Sequence, residues 1–225
     1  MNKEKLLKGL KFFLNSFIWL GVLLLVADII TKNVVVQNAD TTKSGVEIIP
    51  GFLRIQYLIN PHVAFGLSTG SDVADKIIFS VVAIGVTIGI VIFLIKKWDK
   101  LNRLYRAAAM MIIAGALGNV FDRLFYSAEY LNFFDATQGK YITGVVDWID
   151  FYGIWGFHFN VADSAVVIAA FMLIIYMIVE EVKEYIQKKK LEPKEEKSEK
   201  KEEKLLSQTE LEKQRLLEEG KEKDE

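Results

Sequence analysis

Ile77-Ile-Phe-Ser-Val-Val-Ala-Ile-Gly-Val-Thr-Ile-Gly-Ile-Val-Ile-Phe-Leu-Ile95 carries no charge from end to end. A helix needs roughly 20 apolar residues to cross the hydrocarbon of a bilayer, so this stretch reads as a membrane span. Working outward, three further segments pass the same length test: Phe12–Ile30, Ala107–Phe125 and Val161–Val179. The expected fold class is therefore membrane α-helical, with four transmembrane helices. Lys3, Lys5, Lys8 and Lys11 precede the first segment and imitate a secretory signal, but no small-residue cleavage site follows, so a retained helix is expected.

Basic residues set the expected orientation. The N-terminal lysines, the Lys96–Arg106 loop and Lys183–Lys190 fall on one face of a four-span topology, which the positive-inside rule makes cytoplasmic. Both termini are then inside, and the segments Lys32–Asp75 and Arg123–Asn160 lie outside.

The chain has 225 residues, 52% of them hydrophobic, and a mean hydropathy of +0.24. That composition excludes a soluble two-domain enzyme. Residues 1–182 read as one four-span domain, and 183–225 as a Lys/Glu-rich cytoplasmic tail, helical or disordered. Without cysteine there is no thiolate nucleophile and no Cys-based metal site. His62 and His158 are the only histidines and lack the H-E-x-x-H spacing of a zinc protease, so no metal or other cofactor is expected.

The outer segments carry strand signals. In Gly51–Asn60, Phe52, Arg54 and Gln56 alternate with Leu53, Ile55 and Tyr57, between the turn pairs Pro50-Gly51 and Asn60-Pro61. Tyr141–Phe159 is aromatic and β-branched, which suits further strands, and Trp148 and Trp155 suit a bilayer interface. A small extracytoplasmic β-rich cap follows. Within the second span, Gly85 and Gly89 have the small-xxx-small spacing that allows close helix packing.

Aspartates at the ends of these segments point to chemistry. Asp28 closes the first, Asp122 ends the third, Asp163 opens the fourth, and Asp147 lies shortly before it. A carboxylate near hydrocarbon costs several kcal/mol unless paired or hydrated, so it marks function by default. All four fall at the outer face. Asn119, Asp122 and Arg123 share one helical face, where Arg123 reads as the cation that neutralises Asp122 and Asn119 as its hydrogen-bond partner. Asp147 and Asp163 have no adjacent cation. Two carboxylates in a poorly hydrated site share one proton, so one activates water while the other donates to the scissile group. Asp150 rivals Asp147 in this stretch, and spacing does not separate them.

Five motifs in order, Asp28-x-x-Thr31-Lys32, Asn60-x-x-x-Ala64-Phe65-Gly66, Gly115-Ala-x-Gly-Asn119-x-x-Asp122-Arg123, Val145-Val-Asp147 and Phe159-Asn160-x-Ala-Asp163-Ser164, resemble the lipoprotein signal peptidase (signal peptidase II) family. The resemblance covers about residues 10–180. It implies Asp147 and Asp163 as the catalytic dyad, and so separates Asp147 from Asp150. It implies Asn60, Asn119, Asp122, Arg123 and Asn160 as substrate-binding or dyad-bracing residues, with Asp28 and Lys32 structural. The implied substrate is a diacylglyceryl-modified prolipoprotein, cut before its lipidated cysteine. The implied setting is the bacterial cytoplasmic (inner) membrane, with membrane lipid around a monomer and no nucleic acid partner. Leu124–Gly144, with Asn132-Phe-Phe-Asp135, is longer than the family pattern.

Other classes fit less well. A proton-coupled carrier would place polar groups at the midplane and the inner side, where Phe12–Val26 and Ile77–Ile95 offer almost none. A non-enzymatic scaffold leaves the aspartates unexplained. No G-x-S-G or G-x-G-D motif suggests another membrane protease, and no serine has the context of a partner for Lys32.

Overall fold

The computed structural model describes residues 3–61, 71–136, 139–154 and 156–221. His62, Trp155 and the Ala64-Phe65-Gly66 motif lie outside the described residues. The chain divides into two units, Met1–Leu173 and Ile174–Glu225. The helices are α1 Lys3–Ser16, α2 Ile18–Gln37, α3 Ala39–Thr42, α4 Asp72–Lys97, α5 Arg103–Phe125, α6 Ala128–Leu131 and α7 Val161–Lys221. The strands are β1 Val46–Ile49, β2 Leu53–Asn60, β3 Phe134–Asp135, β4 Lys140–Tyr141, β5 Val145–Asp150 and β6 His158–Phe159.

Four helical stretches are long and apolar enough to cross a membrane: Ile18–Gln37, Val73–Lys100, Arg103–Phe125 and Val161–Lys189. The first differs from the expected Phe12–Ile30 at both ends. Phe17 sits in the left-handed region at φ 57° and separates α1 from α2. At the other end the helix runs past Asp28, which does not close it, because Lys32 one turn later pairs with that carboxylate at 2.6 Å. Pairing removes the reason for the segment to end there. Asn102 caps α5 by accepting from the Tyr105 N–H at 3.0 Å, and Lys96 and Lys97 oppose the negative end of the α4 dipole.

The glycines that let helices approach are not those of the second span. Nothing in the described chain comes within 4 Å of a Cβ built on Gly85 or Gly89, so the packing expected there does not occur within this chain. The close approach belongs to α5. A Cβ on Gly115 would stand 2.5 Å from the Ala162 carbonyl oxygen, and one on Gly118 would stand 2.6 Å from Asp28 Oδ2. Along the same helix pair Ala108, Ala165 and Ala169, with Met111, form a buried core, with Leu20 and Leu24 of α2 packed against it.

The cap is a four-stranded antiparallel sheet in the order β1-β2-β5-β6, with β3-β4 as a separate hairpin. Pro50-Gly51 turns β1 into β2: the Phe52 N–H donates to the Ile49 carbonyl at 3.0 Å, with Gly51 at φ 72°. β2 sets Leu58 opposite Asp147 and Asn60 opposite Val145. One face of the sheet buries Tyr57, Ile59 and Val146 against Val35 and Val36 of α2, Tyr126, Leu131 and Ile142. The long Leu124–Gly144 stretch thus supplies part of the cap core, and the Tyr57 hydroxyl donates to the Leu131 carbonyl at 2.6 Å. Trp148 packs against the same core.

Candidate active site

Three elements converge at one end of the bundle: β5 brings Asp147, the first turn of α7 brings Asp163, and the last turns of α5 bring Asn119, Asp122 and Arg123. Asn160 joins them. Its side chain caps α7, accepting from the Asp163 N–H at 2.8 Å. A backbone N–H can only donate, so the Asn160 oxygen is committed to it and the amide nitrogen is turned the other way. That nitrogen donates to Asp147 Oδ1 at 2.8 Å and to Asn119 Oδ1 at 3.1 Å. Asn119 is oriented by the same logic. Its oxygen receives the Lys32 ammonium at 3.1 Å, which leaves its nitrogen to donate to Asp163 Oδ1 at 2.7 Å. Asn60, at the end of β2, donates to Asp147 Oδ2 at 3.2 Å. Both carboxylates therefore receive amide donors whose direction is set from behind.

Lys32 is the hub behind this network. It is fully buried and pairs with Asp28 at 2.6 Å and Asp122 at 2.9 Å. Asp28 Oδ1 accepts from the Ala162 N–H at 2.9 Å, and Asp122 Oδ2 from the Val146 N–H at 3.0 Å. These two ion pairs fasten the start of α7 and the middle of β5 to α2 and α5. The cation paired with Asp122 is thus Lys32, where adjacency in sequence points to Arg123. Arg123 instead donates to the Asn119 carbonyl at 3.2 Å, one turn back on its own helix. Sequence separation hides the actual pair: Lys32 and Asp122 are on different helices.

Asp150 is engaged elsewhere. Its Oδ2 pairs with Arg54 Nε at 2.5 Å, and His158 Nε2 lies 3.4 Å away. It stands three residues along the strand from Asp147, on a different partner set. The two carboxylates that look alike in sequence are told apart by Arg54 across the β2–β5 ladder.

Asp147 is enclosed, with 2% of its surface exposed, whereas Asp163 is half-buried. Burial pushes the Asp147 carboxyl up to about 8, and the charge of Asp163 adds to the shift. The amide donors of Asn60 and Asn160 and the charge of Lys32 pull the other way and do not overcome it. A carboxyl that keeps its proton near neutrality beside a second, more open carboxyl can supply an acid and a base at one point. Among the described residues, no group of three His, Asp or Glu is arranged to hold a metal ion.

Glycines permit this geometry, two of them standing in the motif Gly115-Ala-x-Gly-Asn119. Gly115 and Gly118 clear space for α7 and for Asp28, and a Cβ on Gly144 would meet the Asn60 carbonyl oxygen at 2.3 Å. Their three-residue spacing in α5 is the signal that was available.

The family model for signal peptidase (SPase) II matches residues 20–179. A lipoprotein signal peptidase of Fusobacterium nucleatum is 35% identical over 160 residues, 71% of this chain and 84% of that protein. One of Desulfitobacterium hafniense is 36% identical over 167 residues, 74% of this chain and 96% of that protein. A bacterial membrane enzyme structure determined by the in meso method at 2.3 Å resolution aligns with a TM-score of 0.57 and 28% identity, covering 75% of this chain and 91% of the other. A second, at 1.9 Å, gives a TM-score of 0.50 and 29% identity over 72% and 94%. A family-model match over residues 20–179, with curated relatives at 35% and 36% identity over most of their length, places the chain in the signal peptidase II family, the aspartic peptidases that process lipoproteins.

Proposed function

We propose that Asp147 and Asp163 are the catalytic dyad, and that the chain cuts diacylglyceryl-modified prolipoproteins immediately before the lipidated cysteine. What supports this is the single network in which Asn60 and Asn160 donate to Asp147 while Asn119 donates to Asp163. In the resting pair the enclosed Asp147 holds the proton. The more open Asp163 takes a proton from water as the water oxygen attacks the scissile carbonyl, and Asp147 protonates the carbonyl oxygen. The tetrahedral diol then collapses: one hydroxyl returns its proton to Asp147 as the carbonyl re-forms, the C–N bond breaks, and Asp163 gives the proton it took from water to the leaving amine. Asn60, Asn119 and Asn160 hold the carboxylates, Arg123 borders the space in which the substrate backbone would lie, and the fully buried Asp122 braces β5 from behind through Lys32 and the Val146 N–H. Asp28 and Lys32 secure the elements that carry them.

The termini are cytoplasmic and the dyad faces outward in this reading, because the basic loops cluster at the opposite face. A substrate held in the bilayer by its acyl chains would meet the dyad at the membrane surface, and one chain contains every residue the reaction needs. Residues 1–182 form the peptidase domain and 183–225 a charged cytoplasmic tail.

The test is cleavage of a diacylglyceryl-modified prolipoprotein peptide by purified protein, with EDTA present and Asp147→Asn as control. Cleavage before the lipidated cysteine is expected to persist in EDTA and to fall by at least about 100-fold in the variant. Substantial cleavage by folded Asp147→Asn would remove the dyad assignment.

A further inference from the structure

The four spans and the dyad leave α1 without a role. Its sequence, KEKLLKGLKFFLNS, is amphipathic. At 100° per residue, Leu6, Leu7, Leu10, Phe13 and Leu14 occupy one arc of about 120°. Lys8, Lys11, Glu4 and Asn15 occupy another, and Phe12, Lys5, Ser16 and Gly9 lie on the third side, while Lys3, the first residue of the helix, is the one charge within the apolar arc. The third side touches the protein at its C-terminal end, where Ser16 is buried and the largely exposed Phe12 sets its ring 5.5 Å from that of Trp98. The apolar arc is exposed along its whole length, at Leu6, Leu7, Leu10, Phe13 and Leu14, as are all the residues of Lys3–Leu14.

Two contacts indicate the direction of α1. Phe17, at its end, lies under the Arg103 guanidinium at the start of α5, 5.7 Å from ring centroid to carbon. Phe12, more than a turn earlier, meets Trp98 just past the end of α4. Both partners stand where spans terminate. A helix continuing α2 out of the membrane would carry Phe12 away from that level, and the left-handed Phe17 backbone is the bend that prevents it. Lys96, Lys97, Lys100 and Arg106 add positive charge at the same edge.

We propose that α1 is an in-plane anchor that binds an anionic phospholipid surface. Its leucine and phenylalanine arc lies among the acyl chains, and Lys8 and Lys11 on the neighbouring side hold negatively charged headgroups. An exposed apolar arc flanked by Lys8 and Lys11, on a helix that ends at the edge where Lys96, Lys97 and Lys100 also fall, matches a charged lipid surface better than a protein groove. The anchor would set the depth at which α2 starts, and so the depth of Asp28 and Lys32 further along it.

The chain has no cysteine, so single-cysteine variants can carry spin labels in the full-length protein. Labels at Leu6, Leu7, Lys8, Leu10, Lys11, Phe13 and Leu14 are read for collision with oxygen and with a water-soluble nickel chelate. Vesicles are phosphatidylcholine alone, or phosphatidylcholine mixed with phosphatidylglycerol. The expected result is a helical-period oscillation, with oxygen maxima at Leu6, Leu10 and Phe13 and nickel maxima at Lys8 and Lys11. Oxygen access should fall in phosphatidylcholine alone and in a Lys8→Gln, Lys11→Gln variant. Uniform nickel access, a steady loss of depth from Leu14 to Leu6, protection of the apolar arc from both reagents as under a protein partner, or identical profiles in the two lipids would each overturn the proposal.

Discussion

Asp147 shows how much of this site is a matter of one proton. In the folded chain it holds that proton from the ordinary carboxylate value of 3.8 up to about 8, where the unfolded chain has lost it. Its contribution to stability is therefore full below the ordinary value and is lost as pH rises through about 8. Cleavage should fall over the same upper range, because a dyad with both carboxylates charged has no acid. A pH–rate profile with an alkaline limb near pH 8 is expected, and a rate that stays level well beyond it would contradict the assignment. Lys32 poses the opposite case, a charge satisfied from two sides. Lys32→Met leaves Asp28 and Asp122 buried without a cation and should cost about 3–5 kcal/mol in an unfolding titration in detergent. A variant as stable as the parent would mean that the two ion pairs do not hold α7 and β5 in place. The importance of these residues could be read from the motifs, but the pairing of Lys32 with Asp122 could not, because it joins two helices far apart in the chain.

Among the elements, α5 is the one whose surface is shaped to admit its neighbours. A methyl group on Gly118 would press on Asp28 Oδ2 at 2.6 Å and on the Ala162 Cβ at 3.1 Å. Gly118→Ala should accordingly cost about 1–3 kcal/mol. Gly85→Ala faces open space and should stay within about 0.5 kcal/mol of the parent. Thermal melts of the two variants side by side make the comparison, and equal losses would show that α5 does not pack as described. The small-xxx-small rule marks where two helices are able to meet. Whether they do depends on which face each helix turns inward, and that is decided by the whole bundle. The β-cap was easier to anticipate, since Pro50-Gly51 and the alternation in Leu53–Asn60 are local signals for a turn and a strand.

For the molecule as a whole, the proposed orientation puts the cap and the dyad outside and the basic loops inside. Single-cysteine variants Ser44→Cys and Lys100→Cys, both at exposed positions, test it with a membrane-impermeant maleimide on intact cells. Ser44→Cys should react before lysis and Lys100→Cys only after it. The reverse pattern would turn the enzyme over and place its dyad in the cytoplasm, where a translocated lipoprotein could not reach it.

The sequence alone determined the four spans, the existence of a cap, and the family, because an uncharged helix-length run and five ordered motifs are local properties of the chain. Tertiary structure decided where the first span begins and ends, which cation faces Asp122, what Asp150 pairs with, and which glycines bring helices together. Each of these depends on groups distant in the chain that meet only once α2, α5, α7 and the β2–β5 ladder have closed around Lys32.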